Sequence, residues 1–232
     1  REVCDLEVCK YQTTQDMWME VMKSNPSEFK GGRRPVERVS WWDALEFCNK
    51  LSEKYGLKPV YDLSQRKNGI LKINQLNDKS KYLDIADFKK TEGFRLPTEV
   101  EREWFARGGE VAIQDRTFNY NYSGSNNLDE VAWHNGNSEN RTHNVGTKKT
   151  NQLGLYDCSG NIYEWCYDTG RDGYISKKIP YIYDETEDNR RLKGGSRGWI
   201  MSPLKEYEIS FRYNNICYVL SSNFGFRIVR TI

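Results

Sequence analysis

Acidic side chains and a tight turn lie close together in residues 157–165. Asp157 and Glu164 stand on either side of a Gly-Asn pair, which is typical of turns. Together with the carbonyls of Gly160 and Ile162, the two carboxylates would supply hard oxygen ligands of the kind that calcium prefers. The alternative is that both carboxylates accept hydrogen bonds from loop N–H groups, and the spacing alone favours this alternative.

Histidines and cysteines are the other side chains that could bind a metal or act as nucleophiles. His134 and His143 are nine residues apart, and neither has a cysteine or glutamate at zinc-ligand spacing. We interpret both as structural histidines. The six cysteines are irregularly spaced and form no CxxC pair. Ordinary buried thiols are therefore the expected state, with disulfides as the alternative.

Charge and hydropathy exclude several classes of partner. The chain has 35 Lys and Arg residues against 33 Asp and Glu residues, for a formal net charge of +2. This balance gives no general attraction to nucleic acid or to anionic lipid. No stretch approaches the roughly 18 apolar residues of a membrane span. We therefore expect neither a nucleic-acid partner nor a membrane-spanning segment in this chain.

Apolar spacing and capping signals predict three helices in the first half of the sequence. Ser40 with Asp43, and Thr98 with Glu101, have the spacing of capping boxes. The predicted helices cover residues 13–24, 40–56 and 98–109. Asn68, followed by glycine between two apolar runs, predicts a β-hairpin. After residue 110, short aromatic segments alternate with Gly, Asn and Asp clusters, so the predicted fold class is α+β.

Five segments occur in an order and spacing that resemble one family over nearly the whole chain. They are residues 35–44, 94–104, 151–165, 194–196 and 225–227. The resemblance is to the formylglycine-generating-enzyme, or sulfatase-modifying factor, family. It implies a single domain over residues 1–232 with that family's C-type-lectin fold, which is loop-rich with few short strands and about three helices. It also implies a structural calcium at Asp157, Gly160, Ile162 and Glu164.

The catalytic cysteines of that family are missing from this sequence. Formylglycine generation resembles copper-dependent thiol chemistry, and the family places two cysteines shortly after its Gly-Gly-Ser motif. Residues 197–207 contain no cysteine. Because soft thiolates are needed to hold Cu(I), this chemistry has no local ligands. We therefore expect no catalytic residue and no required cofactor, with calcium as an optional structural ion.

The tail between the Gly-Gly-Ser and Gly-Phe-Arg motifs mixes apolar and polar residues without a helix or strand period. Such a mixture is more typical of a binding surface than of a core strand. Residues 213–223 also resemble the variable cassette of diversity-generating retroelements, in particular that of spirochaetal variable proteins. We predict a variable region at about residues 193–230. The predicted ligand-binding residues are Trp199, Ile200, Met201, Ser202, Tyr207, Tyr213, Asn214, Asn215, Ile216, Tyr218, Val219 and Ser221.

The favoured hypothesis is a non-catalytic receptor or display protein. Its expected partner is a protein or glycan on another cell or host surface. The resemblance implies a bacterial cell-surface or extracellular location, with lipid anchoring through a removed N-terminus as one option. Three alternatives stay open: a divergent oxidase or sulfoxide-type synthase, a pseudoenzyme regulatory domain, and an ordinary family member whose tail packs into the core.

The favoured hypothesis also predicts which aromatic residues are buried. Trp42, Trp104 and Trp165 are expected to anchor the core, because each belongs to a segment that carries the family resemblance. The tail aromatics, including Tyr207 and Tyr218, are expected to be at least partly exposed. If both groups proved equally buried, the tail would be part of the core.

Overall fold

Short helices with well-formed caps build the first half of the structure, a computed structural model that describes residues 3–68, 71–74, 88–170, 188–198 and 204–232. Helix α1 spans Gln15–Met22 and begins where the Thr14 hydroxyl accepts the Met17 N–H. Helix α2 spans Trp41–Lys54. Its predicted capping box forms in full, because Ser40 and Asp43 each bond the other's backbone N–H.

The predicted third helix ends at the predicted glycines, and a further short helix that was not predicted follows it. Thr98 and Glu101 form the predicted capping box of α3, Glu99–Ala106. Gly108 has a φ of 90°, a left-handed conformation that an α-helix cannot continue through. A separate short helix, α4, follows at Gly109–Gln114, and α5 covers Leu128–Val131.

Short strands form three sheets within the described residues. The strands are β1 (Leu6–Val8), β2 (Tyr61–Asp62), β3 (Lys72–Ile73), β4 (Phe94–Arg95), β5 (Tyr163–Thr169), β6 (Asn189–Lys193), β7 (Tyr213–Ile216), β8 (Phe224–Phe226) and β9 (Val229–Thr231). The sheet orders are β1-β9-β4, β2-β3 and β7-β6-β5-β8. Among the described strands, only β5 and β8 pair in parallel. Pairing of β2 with β3 agrees with the predicted hairpin, whose Gly69 lies outside the described residues.

The largest sheet and α2 enclose an aromatic core. Trp41, Trp42 and Trp165 are all buried there. The indole N–H of Trp41 donates to the Cys166 carbonyl at 2.9 Å, and that of Trp165 donates to the Val39 carbonyl at 3.1 Å. These bonds satisfy the polar edge of each indole, which makes deep burial of a tryptophan favourable.

Trp104 differs from the other two tryptophans predicted to anchor the core. It is half-buried on α3 and packs against Phe118 with ring centroids 5.6 Å apart. The apolar face that α3 turns inward carries Val100 and Phe105 instead. The prediction of burial is therefore correct for Trp42 and Trp165 and wrong for Trp104.

All six cysteines are free thiols. Cys48, Cys158, Cys166 and Cys217 are buried, whereas Cys4 and Cys9 are half-buried. Burial raises the pKa of Cys48, Cys158 and Cys166, so these thiols stay protonated and unreactive. Among the described helices, none is long and apolar enough to cross a membrane.

Candidate functional site

The backbone of the C-terminal segment 213–223 is fixed to distant parts of the chain, among them residues 188–193 and residues 38–41. Its first residues form β7, which pairs with β6. The N–H of Cys217 donates to the Asp188 carbonyl at 2.7 Å, and the Cys217 carbonyl accepts the Trp41 N–H at 3.0 Å. The Ser221 carbonyl accepts the Arg38 N–H at 3.0 Å. The backbone of this segment is therefore held in place by hydrogen bonds at several points.

Side chains of residues 216–220 alternate between solvent and core. Ile216, Tyr218 and Leu220 are 49%, 49% and 58% exposed. Between them, Cys217 is buried and Val219 packs against the aromatic core. Three large apolar side chains in five residues thus face solvent from an anchored backbone. Of these three, the list of predicted ligand residues lacked only Leu220.

Asn214 and Asn215 use their side-chain amides within the protein. The amide of Asn214 donates to the Gly170 carbonyl at 2.8 Å. That of Asn215 donates to the Tyr213 hydroxyl at 3.2 Å, and its oxygen accepts the Ile216 N–H at 2.8 Å. These bonds brace the segment, so the outward chemistry of the segment comes mainly from its apolar side chains.

Tyr207 corrects the prediction that all the tail aromatics are exposed. It is buried, and its hydroxyl donates to the Ser196 carbonyl at 2.8 Å. Gly195 has a φ of 74°, and a Cβ there would lie 2.5 Å from the Tyr207 ring. The glycine therefore lets the ring approach the backbone, and Tyr207 supports the scaffold.

The other predicted ligand residues differ from Tyr207 in burial and in ring contacts. Tyr213, Val219 and Ser221 are half-buried. The ring of Tyr213 lies 5.2 Å from that of Tyr163, whereas Tyr218 lies over the buried Trp42 at 6.4 Å. The structure brings the predicted residues from 213 to 221 together on one segment. Trp199, Ile200, Met201 and Ser202 lie outside the described residues.

Arg197 supports this segment, although no sequence signal pointed to this role. Its guanidinium donates to the Asn140 carbonyl at 2.6 Å and to the Ser222 hydroxyl at 3.0 Å. It also lies 4.2 Å from the centre of the Phe29 ring. These contacts join the segment to loops that are far away in the sequence.

Glu37 is buried and braces the loop that contains Phe29, the residue that Arg197 contacts. Its carboxylate accepts the Phe29 N–H at 2.9 Å. Burial raises the pKa of Glu37 above its ordinary value, more than the backbone hydrogen bonds lower it. The folded protein therefore binds this proton more tightly than the unfolded chain does. The stabilisation is fully present below the unfolded pKa of about 4.3 and is lost as the pH rises through the raised value.

Glu37→Gln is expected to remove this pH dependence while keeping the acceptor for Phe29. Relative to wild type, the variant should gain stability as the pH rises from 4 to 8. Thermal melts of both proteins across that range measure the difference. Parallel profiles would show that Glu37 has the same pKa in the folded and unfolded states.

The four residues predicted to bind calcium do come together, around a glutamine that was not predicted. The side-chain nitrogen of Gln12 lies 3.1, 3.3 and 3.1 Å from the main-chain carbonyls of Asp157, Gly160 and Ile162, and 3.2 Å from the Glu164 carboxylate. Asp157 thus takes part through its main chain. Its carboxylate points elsewhere and accepts the Gly146 N–H at 2.8 Å. Burial raises the pKa of Asp157 to about 6.

Glu164 is already neutralised by two buried arginines. Arg102 Nε lies 3.2 Å from one carboxylate oxygen, and an amino group of Arg227 lies 3.1 Å from the other. Burial alone would raise the pKa of Glu164, but Arg227 and Arg102 outweigh it and hold the pKa below its ordinary value. Glu164 therefore stays ionised.

This arrangement does not fit a calcium ion. The four oxygens lie 3.1–3.3 Å from their common centre, whereas calcium needs about 2.3–2.6 Å. That centre holds the Gln12 amide, and the one carboxylate facing it is paired with two cations. Within the described ranges, no group of three or more His, Cys, Asp or Glu side chains is placed to hold a metal. Calcium binding at these residues stays a prediction.

Both histidine rings are held by local contacts within the protein. His134 Nε2 lies 2.8 Å from the Asp129 carboxylate, and its Nδ1 accepts the Gly136 N–H at 3.1 Å. His143 stacks on Trp133 with ring centroids 3.7 Å apart. These contacts agree with the interpretation of both histidines as structural.

Ser196 lies in a spacing pattern that is also found around catalytic serines. Residues 194–198, Gly-Gly-Ser-Arg-Gly, match the G-x-S-x-G spacing of a nucleophile elbow. Such an elbow exposes its serine between a strand and a helix. Ser196 is instead buried, and no helix begins in the described residues directly after it. It is not a candidate nucleophile.

The fold and motifs define the class of protein. Residues 4–232 match the model of the sulfatase-modifying factor enzyme 1-like domain, and the chain belongs to this family. Both the predicted family and its C-type-lectin fold are confirmed.

The individual proteins that this chain is similar to carry names that indicate different functions. The chain is similar to the chaperone protein LppX of Paenibacillus barcinonensis, with 39% identity over 246 residues that cover 98% of this chain and 80% of that protein. It is also similar to the formylglycine-generating enzyme of Streptomyces coelicolor, with 28% identity over 160 residues, which are 62% of this chain and 49% of the enzyme. Among solved structures, Treponema denticola variable protein 1 has a TM-score of 0.76 and 34% identity, covering 98% of this chain and 84% of that chain.

Proposed function

We propose that this chain is a non-catalytic ligand-binding protein of the receptor or display type. Its variable region, about residues 193–230, is diversified by a retroelement and forms the binding surface. One observation carries the proposal: Ile216, Tyr218 and Leu220 face solvent from a backbone that is anchored on both sides. Anchoring lets the outward side chains change while the backbone keeps its path. Similarity to a protein named a variable protein supports the same role.

The partner that best fits this surface is a protein with an exposed apolar patch. Clustered apolar side chains on a surface favour association with apolar surface. Aromatic anchors such as Tyr218 provide much of the binding energy in protein interfaces. A glycan would need free polar groups, and the amides of Asn214 and Asn215 are used inside the protein. We therefore favour a protein ligand over a glycan.

A display protein must meet its ligand outside the cell. We accordingly propose a bacterial cell-surface or extracellular location, with a lipid anchor at the N-terminus as one means of attachment.

A related candidate function is that of a chaperone. It is favoured by the 39% identity with a protein of that name along nearly the whole chain. The same apolar segment would then bind unfolded polypeptides of many sequences. A display protein would bind one folded surface, so the breadth of binding separates the two functions.

A divergent oxidoreductase or a pseudoenzyme regulatory domain is the other candidate, because the Streptomyces relative is an enzyme. The absence of cysteine from residues 197–207 argues against the family's chemistry in this chain. Incubation with a sulfatase cysteine peptide and copper, followed by mass spectrometry, tests this candidate. Conversion of that cysteine to formylglycine would overturn the non-catalytic proposal.

Replacing Ile216, Tyr218 and Leu220 with serine is expected to abolish ligand binding without unfolding the protein. Peptides displayed on phage and selected on the wild-type protein are the probe. Affinity for the selected peptides should fall at least about 30-fold, because losing one anchor residue typically costs about 2 kcal/mol. The matched control replaces Ile113, Tyr55 and Leu153, which are similarly exposed outside the segment, with serine.

Two outcomes of this experiment and one observation at the encoding locus would count against the proposal. The first is an equal loss of binding in the control variant, and the second is retained binding in the segment variant. The third comes from the encoding locus. A near-identical, adenine-rich copy of the codons for about residues 193–230, beside a reverse transcriptase gene, is expected there. If no such copy is found, the proposal that a retroelement diversifies this region would be wrong, regardless of the result of the peptide-binding experiment.

A further inference from the structure

The turn that leads into β5 directs five main-chain carbonyls toward the protein interior. Side chains from three distant segments serve them. Arg227 donates to the carbonyl of Tyr156 at 2.5 Å, and Arg102 donates to that of Cys158 at 2.6 Å. The remaining three carbonyls are those of residues 157, 160 and 162, which face Gln12. Buried carbonyls need donors or a cation, because leaving them unpaired is unfavourable.

Gln12 is positioned as a cation would be. Its side chain is fully buried, and its nitrogen lies at the point where three carbonyls and the Glu164 carboxylate converge. An amide nitrogen has two hydrogens, so it meets twice as many acceptors as it can bond at one time. The Gln12 oxygen points away from this cluster and has no hydrogen-bond partner among the described residues. The amide is thus oriented with its positive end toward the oxygens.

Charge makes a neutral donor suitable here. Arg102 and Arg227 contribute two positive charges, and Glu164 contributes one negative charge. The one carboxylate that faces Gln12 is therefore already paired with two cations before any metal is considered. A divalent ion would add repulsion where burial weakens screening by water. An amide group supplies hydrogens without adding a charge.

We propose that the side chain of Gln12 takes the place of a metal ion at the centre of the turn 157–164, so that this chain needs no calcium there. This turn also holds the first residues of the C-terminal tail by backbone hydrogen bonds. The Gly160 N–H donates to the Gly194 carbonyl at 2.7 Å, and the Arg197 N–H donates to the Asn161 carbonyl at 3.0 Å. Because Gln12 and not calcium would hold the turn, we expect the tail to keep its position in calcium-free buffer.

The direct test is the wild-type melting temperature in millimolar calcium and in EDTA. We expect the two melts to agree within about 1 °C. Calcium at a hundredfold excess over its Kd would raise the melting temperature by about 5 °C or more in a protein of this size. Such a rise, or sensitised terbium luminescence that calcium competes away, would overturn the proposal.

Gln12→Glu is the complementary variant, because it replaces the donor with a fifth oxygen-bearing ligand group of negative charge. We expect the variant to melt lower than wild type in EDTA and to recover at least half of the loss in calcium. The matched control is Gln15→Glu. Gln15 is also buried in the same segment, but it donates to the carbonyls of Phe29 and Pro35, away from the turn.

The control variant is expected to lose stability without gaining a response to calcium. A folded Gln12→Glu protein that ignores calcium would overturn the proposal, as would equal calcium responses in both variants. If Gln12→Glu does not fold in either buffer, the wild-type melts and terbium titration decide alone.

Discussion

Replacing Glu164 with glutamine is expected to destabilise the protein by about 3–5 kcal/mol. Glu164 is completely buried, and it is the carboxylate that both Arg102 and Arg227 contact. Glutamine has nearly the same shape, so the main change is the loss of one negative charge between two buried cations. Leaving buried charges unpaired is far more costly than breaking an exposed pair. Urea unfolding of the two proteins measures the difference.

A surface ion pair provides the matched control. Lys50 pairs with Glu46 at 2.9 Å on the exposed side of α2. Lys50→Gln should change the free energy of unfolding by about 1 kcal/mol or less, because water already screens that pair. Similar losses for Glu164→Gln and Lys50→Gln would show that the buried cluster does not hold the fold together.

The family motifs were enough to predict the fold because each one marks a local structural requirement. Ser40 and Thr98 start helices through capping boxes whose partners are three residues away. Such signals can be recognised without knowing the rest of the fold. Gly108 and Gly109 likewise marked the end of the third helix, but no sequence signal indicated that a separate helix, α4, begins at Gly109. Positive φ angles at Gly108 and Gly109 separate α3 from α4.

The candidate binding segment could be located from the sequence, but its outward face could not. The alternation over residues 216–220 depends on hydrogen bonds to Arg38, Trp41 and Asp188. Two of these partners are more than 170 positions away, and no local pattern reveals them. Tyr207 was misassigned for the same kind of reason, since its burial depends on close approach to Gly195.

Gln12 shows most clearly what sequence reasoning could not reach. The oxygens that it faces are 145–152 positions away along the chain. The turn itself was recognised, and its predicted residues converge. What fills their centre is decided by the N-terminal segment. A motif can therefore predict a ligand set and still leave open whether a metal or a side chain occupies it.

We expect the scaffold and the proposed display surface to have separate energetic roles in this fold, and Trp165 and Tyr218 distinguish them. Trp165 is fully buried on β5, and its ring lies 5.5 Å from that of Phe224. Its indole N–H is bonded to Val39. Tyr218 is half exposed, and its ring lies 6.4 Å from that of the buried Trp42.

Trp165→Ala is expected to lower the free energy of unfolding by about 3–5 kcal/mol, because it leaves a cavity beside the central strand of the largest sheet. Tyr218→Ala should lower it by about 1 kcal/mol or less, since a half-exposed side chain loses little burial. Paired urea curves with unchanged slopes give both values. The Tyr218 variant should at the same time lose affinity for peptides selected on the wild-type protein. Comparable, large losses of stability in both variants would mean that the tail belongs to the core, and the display role would fail with it.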